Sequence, residues 1–132
     1  MDDKLKILNE VFEYIFVITT PKFSDRINNM KSRLAGVKYV FFDGVYGGEI
    51  DVEKYRRLGS KLTRGQLACA ASHIKLYEKI VNEKLNNVLV LEDDCIFTEN
   101  IVNLKKCYSQ LPKNYSFFHL GYSECYGKKK VF

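Results

Sequence analysis

The chain has 132 residues, of which 46% are hydrophobic and 28% charged, and its formal net charge is +5. This composition is typical of one folded domain, so we predict a single domain over residues 1–132. A mildly basic chain suits a phosphate-bearing ligand or an anionic surface. However, no Arg/Lys-rich helix with interleaved aromatic residues is present, so nucleic acid is not an expected partner.

The N-terminus and the cysteines indicate the cellular compartment in which the protein is expected. The chain opens with acidic residues where a signal peptide would be basic and then apolar, and no apolar run reaches membrane-spanning length. Four cysteines form no C-x-x-C pair, and with two histidines a structural zinc site is not expected. Cys69 is predicted to be buried and reduced. We therefore expect a cytoplasmic protein without a transmembrane segment, with Lys128–Lys130 in a solvated tail.

The first predicted strand and helix lie within residues 14–36. Tyr14–Thr19 is β-branched and aromatic and is followed by Pro21, as expected for a buried strand. Ser24 is predicted to cap a helix that ends at Gly36. The apolar face of this helix is predicted to consist of Ile27, Met30 and Leu34.

The second strand and the longest helix come next. Val37–Phe42 is predicted as a strand that ends in the Asp43-Gly44 turn. Residues 45–62 show no hydrophobic periodicity of a helix or strand, which predicts a long loop or insertion. Thr63–Gln66 matches a capping box, with a long helix following it. The apolar stripe of that helix is predicted to consist of Leu67, Ala70, Ile74, Tyr77 and Val81.

An acidic motif follows the third predicted strand. Val88–Leu91 is a run of four apolar residues, typical of a strand buried on both faces, and Glu92, Asp93 and Asp94 come directly after it. In strand geometry Glu92 and Asp94 would be about 6–7 Å apart, and their repulsion costs roughly 2–3 kcal/mol at an effective dielectric of ~20. A bound Mg²⁺ or Mn²⁺ would relieve it. A solvated loop without a ligand is an equally open interpretation.

The remaining segments complete an alternating pattern. Asn100 is predicted to cap a helix that Pro112 closes, and Tyr115–Leu120 is predicted as a fourth strand. The inward positions of that helix are predicted to be Ile101, Leu104, Tyr108 and Leu111. Alternating strands and helices predict an α/β domain with a mostly parallel, Rossmann-like sheet covered by helices on both faces.

Three further residues are candidates for ligand binding. Arg26 follows the first strand and could contact a phosphate, and Asp43 ends the second strand, where α/β folds often place an acid on a nucleotide. His73 lies on the long helix that leads to the acidic strand. Each can also be explained without a ligand: Arg26 as a surface residue, Asp43 as a turn residue and His73 as a packed or surface residue. No G-x-G-x-x-G, Walker A or G-x-S-x-G motif is present.

Two segments of the chain form a distinctive combination: Leu62–His73, with its Ser72-His73 pair, and Val88–Asp94, with its Glu-Asp-Asp end. Together they resemble glycosyltransferase family 25, which includes bacterial lipooligosaccharide and collagen galactosyltransferases. The first strand, Arg26 and Phe42–Gly44 follow the same order, so the likeness covers nearly the whole chain.

The resemblance implies a GT-A-type fold that binds a UDP-hexose, with galactose expected, and transfers the sugar to a glycan or hydroxylated-protein acceptor. It implies Mn²⁺ or Mg²⁺ held by Asp94 with Glu92 or Asp93, and we assign Glu92 and Asp94. The nucleotide-sugar-binding residues that it implies are Thr19, Arg26, Asp43, Gly44, His73 and Asp93.

The sequence departs from the family pattern in two places. Thr19-Thr20 replaces the usual Asn-Leu, and the chain stops at Phe132, before the half that supplies acceptor contacts. No catalytic base is assigned, because Glu124 and His119 are better explained as structural residues. A second chain or a homo-oligomer would then complete the site. The alternatives are a nucleotide-sugar-binding module without turnover and a basic binder of nucleic acid or anionic surfaces.

Overall fold

Three parallel strands form the centre of the protein. The structure is a computed structural model that describes residues 3–55, 61–123 and 129–131. The strands are β1 (Tyr14–Thr19), β2 (Val40–Asp43) and β3 (Val88–Glu92), in the order β2-β1-β3. Thr19 pairs with Asp43 and Ile18 with Glu92, so the three carboxyl ends meet at one edge of the sheet.

The described residues also form five α-helices and a hairpin. A 3₁₀ turn precedes the first helix (Asp3–Lys6) and another precedes the last (Glu99–Asn103). The helices are α1 (Ile7–Val11), α2 (Ser24–Arg33), α3 (Val52–Tyr55), α4 (Arg64–Asn82) and α5 (Leu104–Ser109). The hairpin pairs β4 (Gly121–Ser123) with β5 (Lys129–Val131) in antiparallel register. No helix in these residues has the length and hydropathy to cross a membrane.

Alternate residues of β1 face the two sides of the sheet and are covered by different helices. Ile15 and Val17 pack in a core with buried residues of α1 and α2. Phe16 and Ile18 pack on the other side against Leu76 of α4, which is fully buried. Helices on both faces of a parallel sheet confirm the predicted α/β class.

Several predicted boundaries were wrong. The second strand begins at Val40 and not Val37, and Ser24 is the first residue of α2, with Phe23 in the cap position. Thr98 and not Asn100 precedes the 3₁₀ turn before α5. These shifts are small because local propensity defines a boundary only to within a few residues.

The prediction of a fourth strand at Tyr115–Leu120 was also wrong. Residues 115–119 form no strand, and the pairing occurs instead between Gly121–Ser123 and Lys129–Val131. Strand formation depends on an available partner as much as on aromatic or β-branched composition. Lys129 and Lys130 therefore belong to a hairpin strand, whereas Lys128 lies outside the described residues.

The buried stripe of α4 differs from the predicted one. Its buried residues are Leu67, Ala68, Ala71, Ser72 and Leu76. Ala70 is exposed, as are Ile74 (53%) and Val81 (72%), and the two stripes share only Leu67. Both have helical spacing, so periodicity could not separate them. The observed stripe contains small side chains, which bring α4 close to the sheet and to the loop after β2.

The start of α4 has the predicted capping box. Thr63 Oγ1 accepts from the Gln66 backbone N–H at 3.2 Å, and Gln66 Oε1 accepts from the Thr63 N–H at 2.9 Å. We expect Thr63→Ala to lower the free energy of unfolding by about 0.5–2 kcal/mol, because a backbone donor loses its partner. Urea unfolding measures the change.

Thr98→Ala is the matched control for the capping prediction. Thr98 precedes a 3₁₀ turn, and its buried hydroxyl makes no hydrogen bond within the described residues. Its loss should cost less than the loss of the Thr63 hydroxyl. Equal destabilisation by the two variants would contradict a specific contribution from the capping box.

Candidate functional site

A cleft of about 590 Å³ opens at the carboxyl edge of the sheet. The ends of β1 and β3, the first turns of α4 and the loop after β2 contribute its walls. Ligands of open α/β sheets bind at this edge, because the loops that follow the strands converge there. Of the predicted site residues, the cleft is lined by Thr19, Arg26, His73, Glu92, Asp93 and Asp94.

Asp93 joins three elements beneath the cleft. Its side chain is buried and accepts hydrogen bonds from Thr19 Oγ1 at 2.9 Å and from Arg26 Nη1 at 3.1 Å. The Arg26 side chain is half exposed, and its guanidinium lies 4.9 Å from the centre of the Phe23 ring. Asp93 therefore uses both carboxylate oxygens within the protein and holds the Arg26 cation at the cleft.

Glu92 lies beside two residues of α4. Its Oε1 is 3.0 Å from His73 Nε2 and 3.4 Å from Cys69 Sγ. His73 Nδ1 is 3.2 Å from the Tyr77 hydroxyl. A glutamate carboxylate only accepts, so His73 Nε2 carries the proton and Nδ1 accepts from Tyr77 when the ring is neutral.

Cys69 is exposed in the structure, so the prediction that it is buried was wrong. The sequence pattern assigns Cys69 to an apolar face of the helix, but the buried residues of α4 are Leu67, Ala68, Ala71, Ser72 and Leu76. Desolvation, together with the nearby Glu92 carboxylate, raises the pKa of the Cys69 thiol to about 11. The thiol therefore keeps its proton at neutral pH and donates it to Glu92.

Asp43 and Gly44 support the cleft without lining it. The Asp43 carbonyl accepts from Lys75 Nζ at 3.1 Å, and the Gly44 N–H donates to the Thr19 carbonyl at 2.8 Å. Ser72 Oγ donates to the Ala68 carbonyl at 2.7 Å and accepts from the Val45 N–H at 2.8 Å. These contacts hold the loop after β2 against α4.

Sequence reasoning did not single out Arg64 or Tyr46. Arg64 Nε donates to the Gly47 carbonyl at 3.1 Å and its Nη2 to the Ile50 carbonyl at 3.2 Å, so it orders the loop before α3. The rings of Tyr46 and Phe23 are 5.9 Å apart at the mouth of the cleft. A basic residue directly after the Thr63 cap was the one signal that could have pointed to Arg64.

The comparison with protein families decides the identity of the chain. Residues 12–132 match the family described as "Glycosyltransferase family 25 (LPS biosynthesis protein)". The chain belongs to glycosyltransferase family 25. Its parallel sheet with flanking helices is consistent with a GT-A-like Rossmann fold, as the resemblance implied.

Relatives in family 25 carry different names. "Procollagen galactosyltransferase 1-A" of Xenopus laevis is 30% identical over 65% of this chain and 16% of its own length. "Lipooligosaccharide biosynthesis protein lic2B" of Haemophilus influenzae is 33% identical over 59% of the chain and 34% of its own length. "Inactive glycosyltransferase 25 family member 3" of Homo sapiens is 30% identical over 67% and 18%. The chain thus spans between about a sixth and a third of these relatives.

Proposed function

We propose that this family 25 chain binds the donor in a metal-dependent transfer of a hexose, with galactose expected, from a UDP-sugar to a glycan or hydroxylated-protein acceptor. The main support is the cleft where the Arg26 cation and the carboxylates of Glu92 and Asp94 converge. The names of the Xenopus and Haemophilus relatives support galactose and the two acceptor classes.

The carboxylates suit a hard divalent cation. Glu92 and Asp94 are exposed and both line the cleft, whereas Asp93 is buried and engaged by Thr19 and Arg26. Mn²⁺ and Mg²⁺ prefer such oxygen ligands. Glu92 and Asp94 would hold the cation, and a cation bound there would supply positive charge for the departing nucleotide diphosphate.

Two arginines would act on the donor phosphates. Asp93 orients Arg26, which can then offer paired N–H donors to a phosphate without first being ordered. Arg64, at the start of α4, lines the same cleft. A bound diphosphate would then contact these two side-chain cations as well as the metal ion held by Glu92 and Asp94.

A nucleotide-sugar-binding module without turnover is the second candidate. One relative, 30% identical to this chain over the matched residues, is named inactive. In addition, no described residue is assigned as the base that would activate an acceptor. A second chain or a further copy would then complete the site.

The described cysteines are unpaired, which fits the reducing cytoplasm as the proposed location.

Calorimetric titration of UDP in the presence of Mn²⁺ tests the donor site. We expect saturable binding of UDP by the wild-type chain. In Asp94→Asn the affinity for UDP should fall about tenfold or more, and each tenfold loss corresponds to about 1.4 kcal/mol of binding free energy. Glu78→Gln is the charge-matched control, since Glu78 is exposed on α4 away from the cleft lining.

Absence of wild-type binding, or equal affinity in Asp94→Asn, would overturn the donor-site proposal. Radiolabelled UDP-hexose separates the two candidates. Repeated transfer to an acceptor supports the enzyme, whereas nucleotide binding without transfer or donor hydrolysis supports the module.

A further inference from the structure

We propose that Cys69, His73 and Glu92 form a second metal site, which takes a borderline divalent ion such as Zn²⁺ or Co²⁺. Their ligand atoms, one from each residue, lie within 4.8 Å of one another. All three residues also line the cleft. The site differs from the proposed Mn²⁺ or Mg²⁺ site in its sulfur and nitrogen ligands and shares Glu92 with it.

The distances match a tetrahedral ion. With bonds of about 2.3 Å to sulfur and about 2.0–2.1 Å to nitrogen and oxygen, tetrahedral angles place N and O about 3.4 Å apart and S and O about 3.6 Å apart. Glu92 Oε1 lies 3.0 Å from His73 Nε2 and 3.4 Å from Cys69 Sγ. For these two pairs, movements of a few tenths of an ångström would therefore suffice, and the third pair, Cys69 and His73, has its ligand atoms within 4.8 Å.

The scaffold fixes two of the ligands. Cys69 and His73 are one helical turn apart on α4, so their side chains project from the same face. The Tyr77 hydroxyl lies 3.2 Å from His73 Nδ1. When a metal takes Nε2, the ring proton moves to Nδ1 and is donated to Tyr77, an outer contact that orients metal-binding histidines.

The ligand set selects the metal. Thiolate and imidazole favour Zn²⁺ and Co²⁺, whereas Mg²⁺ and Mn²⁺ favour oxygen. On binding, Cys69 releases its one thiol proton to solvent and the thiolate bonds to the metal. Three protein ligands leave the fourth position to water or a phosphate oxygen in the cleft, the arrangement of open zinc sites. The absence of C-x-x-C pairs disfavours only a closed structural zinc site with four protein ligands.

Cobalt spectroscopy without nucleotide tests this inference. Co²⁺ added to the full chain should produce a thiolate-to-cobalt charge-transfer band and the strong visible absorption of tetrahedral cobalt, and Zn²⁺ should abolish both. Cys69→Ser should remove the charge-transfer band, and His73→Gln should weaken Co²⁺ binding about tenfold or more. Circular dichroism verifies that the variants are folded.

Two matched controls replace residues of the same types elsewhere in the chain. Cys107→Ser and His119→Gln should keep the wild-type spectrum, as should Asp94→Asn, because none of these residues supplies a ligand. A missing band in the wild type, or a band that persists in Cys69→Ser, would overturn the inference. Since no UDP is present, failure here is distinguishable from failure of the donor-site proposal.

Discussion

Replacing Gly44 by alanine is expected to lower the free energy of unfolding by about 1–3 kcal/mol, as overpacking of a filled site does. A Cβ at position 44 would lie 2.6 Å from Ser72 Oγ and 3.1 Å from both Ser72 Cβ and Ile18 Cγ2. Ser72 cannot yield easily, because its hydroxyl is bonded to the Ala68 carbonyl and the Val45 N–H. Urea unfolding gives the change in stability.

Gly65→Ala is the control for this prediction. A Cβ there has only Thr63 Oγ1 nearby, at 4.0 Å, and alanine favours a helical position, so the variant should be neutral or more stable by up to ~1 kcal/mol. In a Ser72→Ala background the closest clash is gone, and Gly44→Ala should cost less than in the wild type. Strictly additive losses would contradict a direct contact between Gly44 and Ser72.

Asp93→Asn is the second change with a large expected effect. The amide keeps the shape of the carboxylate but loses its charge and replaces one acceptor oxygen by a donor. Asp93 accepts hydrogen bonds from the buried Thr19 hydroxyl and from Arg26, and the substitution weakens both. We therefore expect the free energy of unfolding to fall by about 1–3 kcal/mol. Thermal or urea unfolding tests it.

The neighbouring carboxylate provides the comparison for Asp93. Asp94→Asn removes the same charge one residue further on, at an exposed position, and should change stability by no more than about 0.5 kcal/mol. The two variants should therefore separate, with Asp93→Asn affecting stability and Asp94→Asn affecting Mn²⁺-dependent UDP binding. Equal stability of the two proteins would show that the Thr19–Asp93–Arg26 contacts contribute little.

Local signals correctly predicted much of the fold. The strand Tyr14–Thr19 has the same bounds in the structure, and the Thr63–Gln66 capping box is present with both hydrogen bonds. The acidic motif does lie at the end of β3 and does line a cleft. However, β3 includes Glu92, and only Leu89 and Leu91 are buried while Val88 and Val90 are half-buried, so the predicted burial on both faces is only partly met. These features depend on composition, caps and the alternation of elements, all of which are contained in short stretches of sequence.

Properties that depend on distant contacts were not predictable in this way. Nothing in Glu92, Asp93 and Asp94 distinguishes the buried member from the exposed ones, because the difference comes from Thr19 and Arg26, 67 or more residues away. The buried stripe of α4 likewise depends on which of two apolar faces meets the sheet. Tyr115–Leu120 had the composition of a strand but no partner in the sheet.

The strand order has a consequence for folding and ligand affinity. β3 enters the sheet beside β1 after more than 60 intervening residues, so the Asp93 contacts form only once this long-range closure has taken place. A short peptide that carries the acidic motif would lack the cleft. A ligand bound in the cleft should therefore stabilise the whole sheet by mass action, and its affinity should fall with any change that detaches β3.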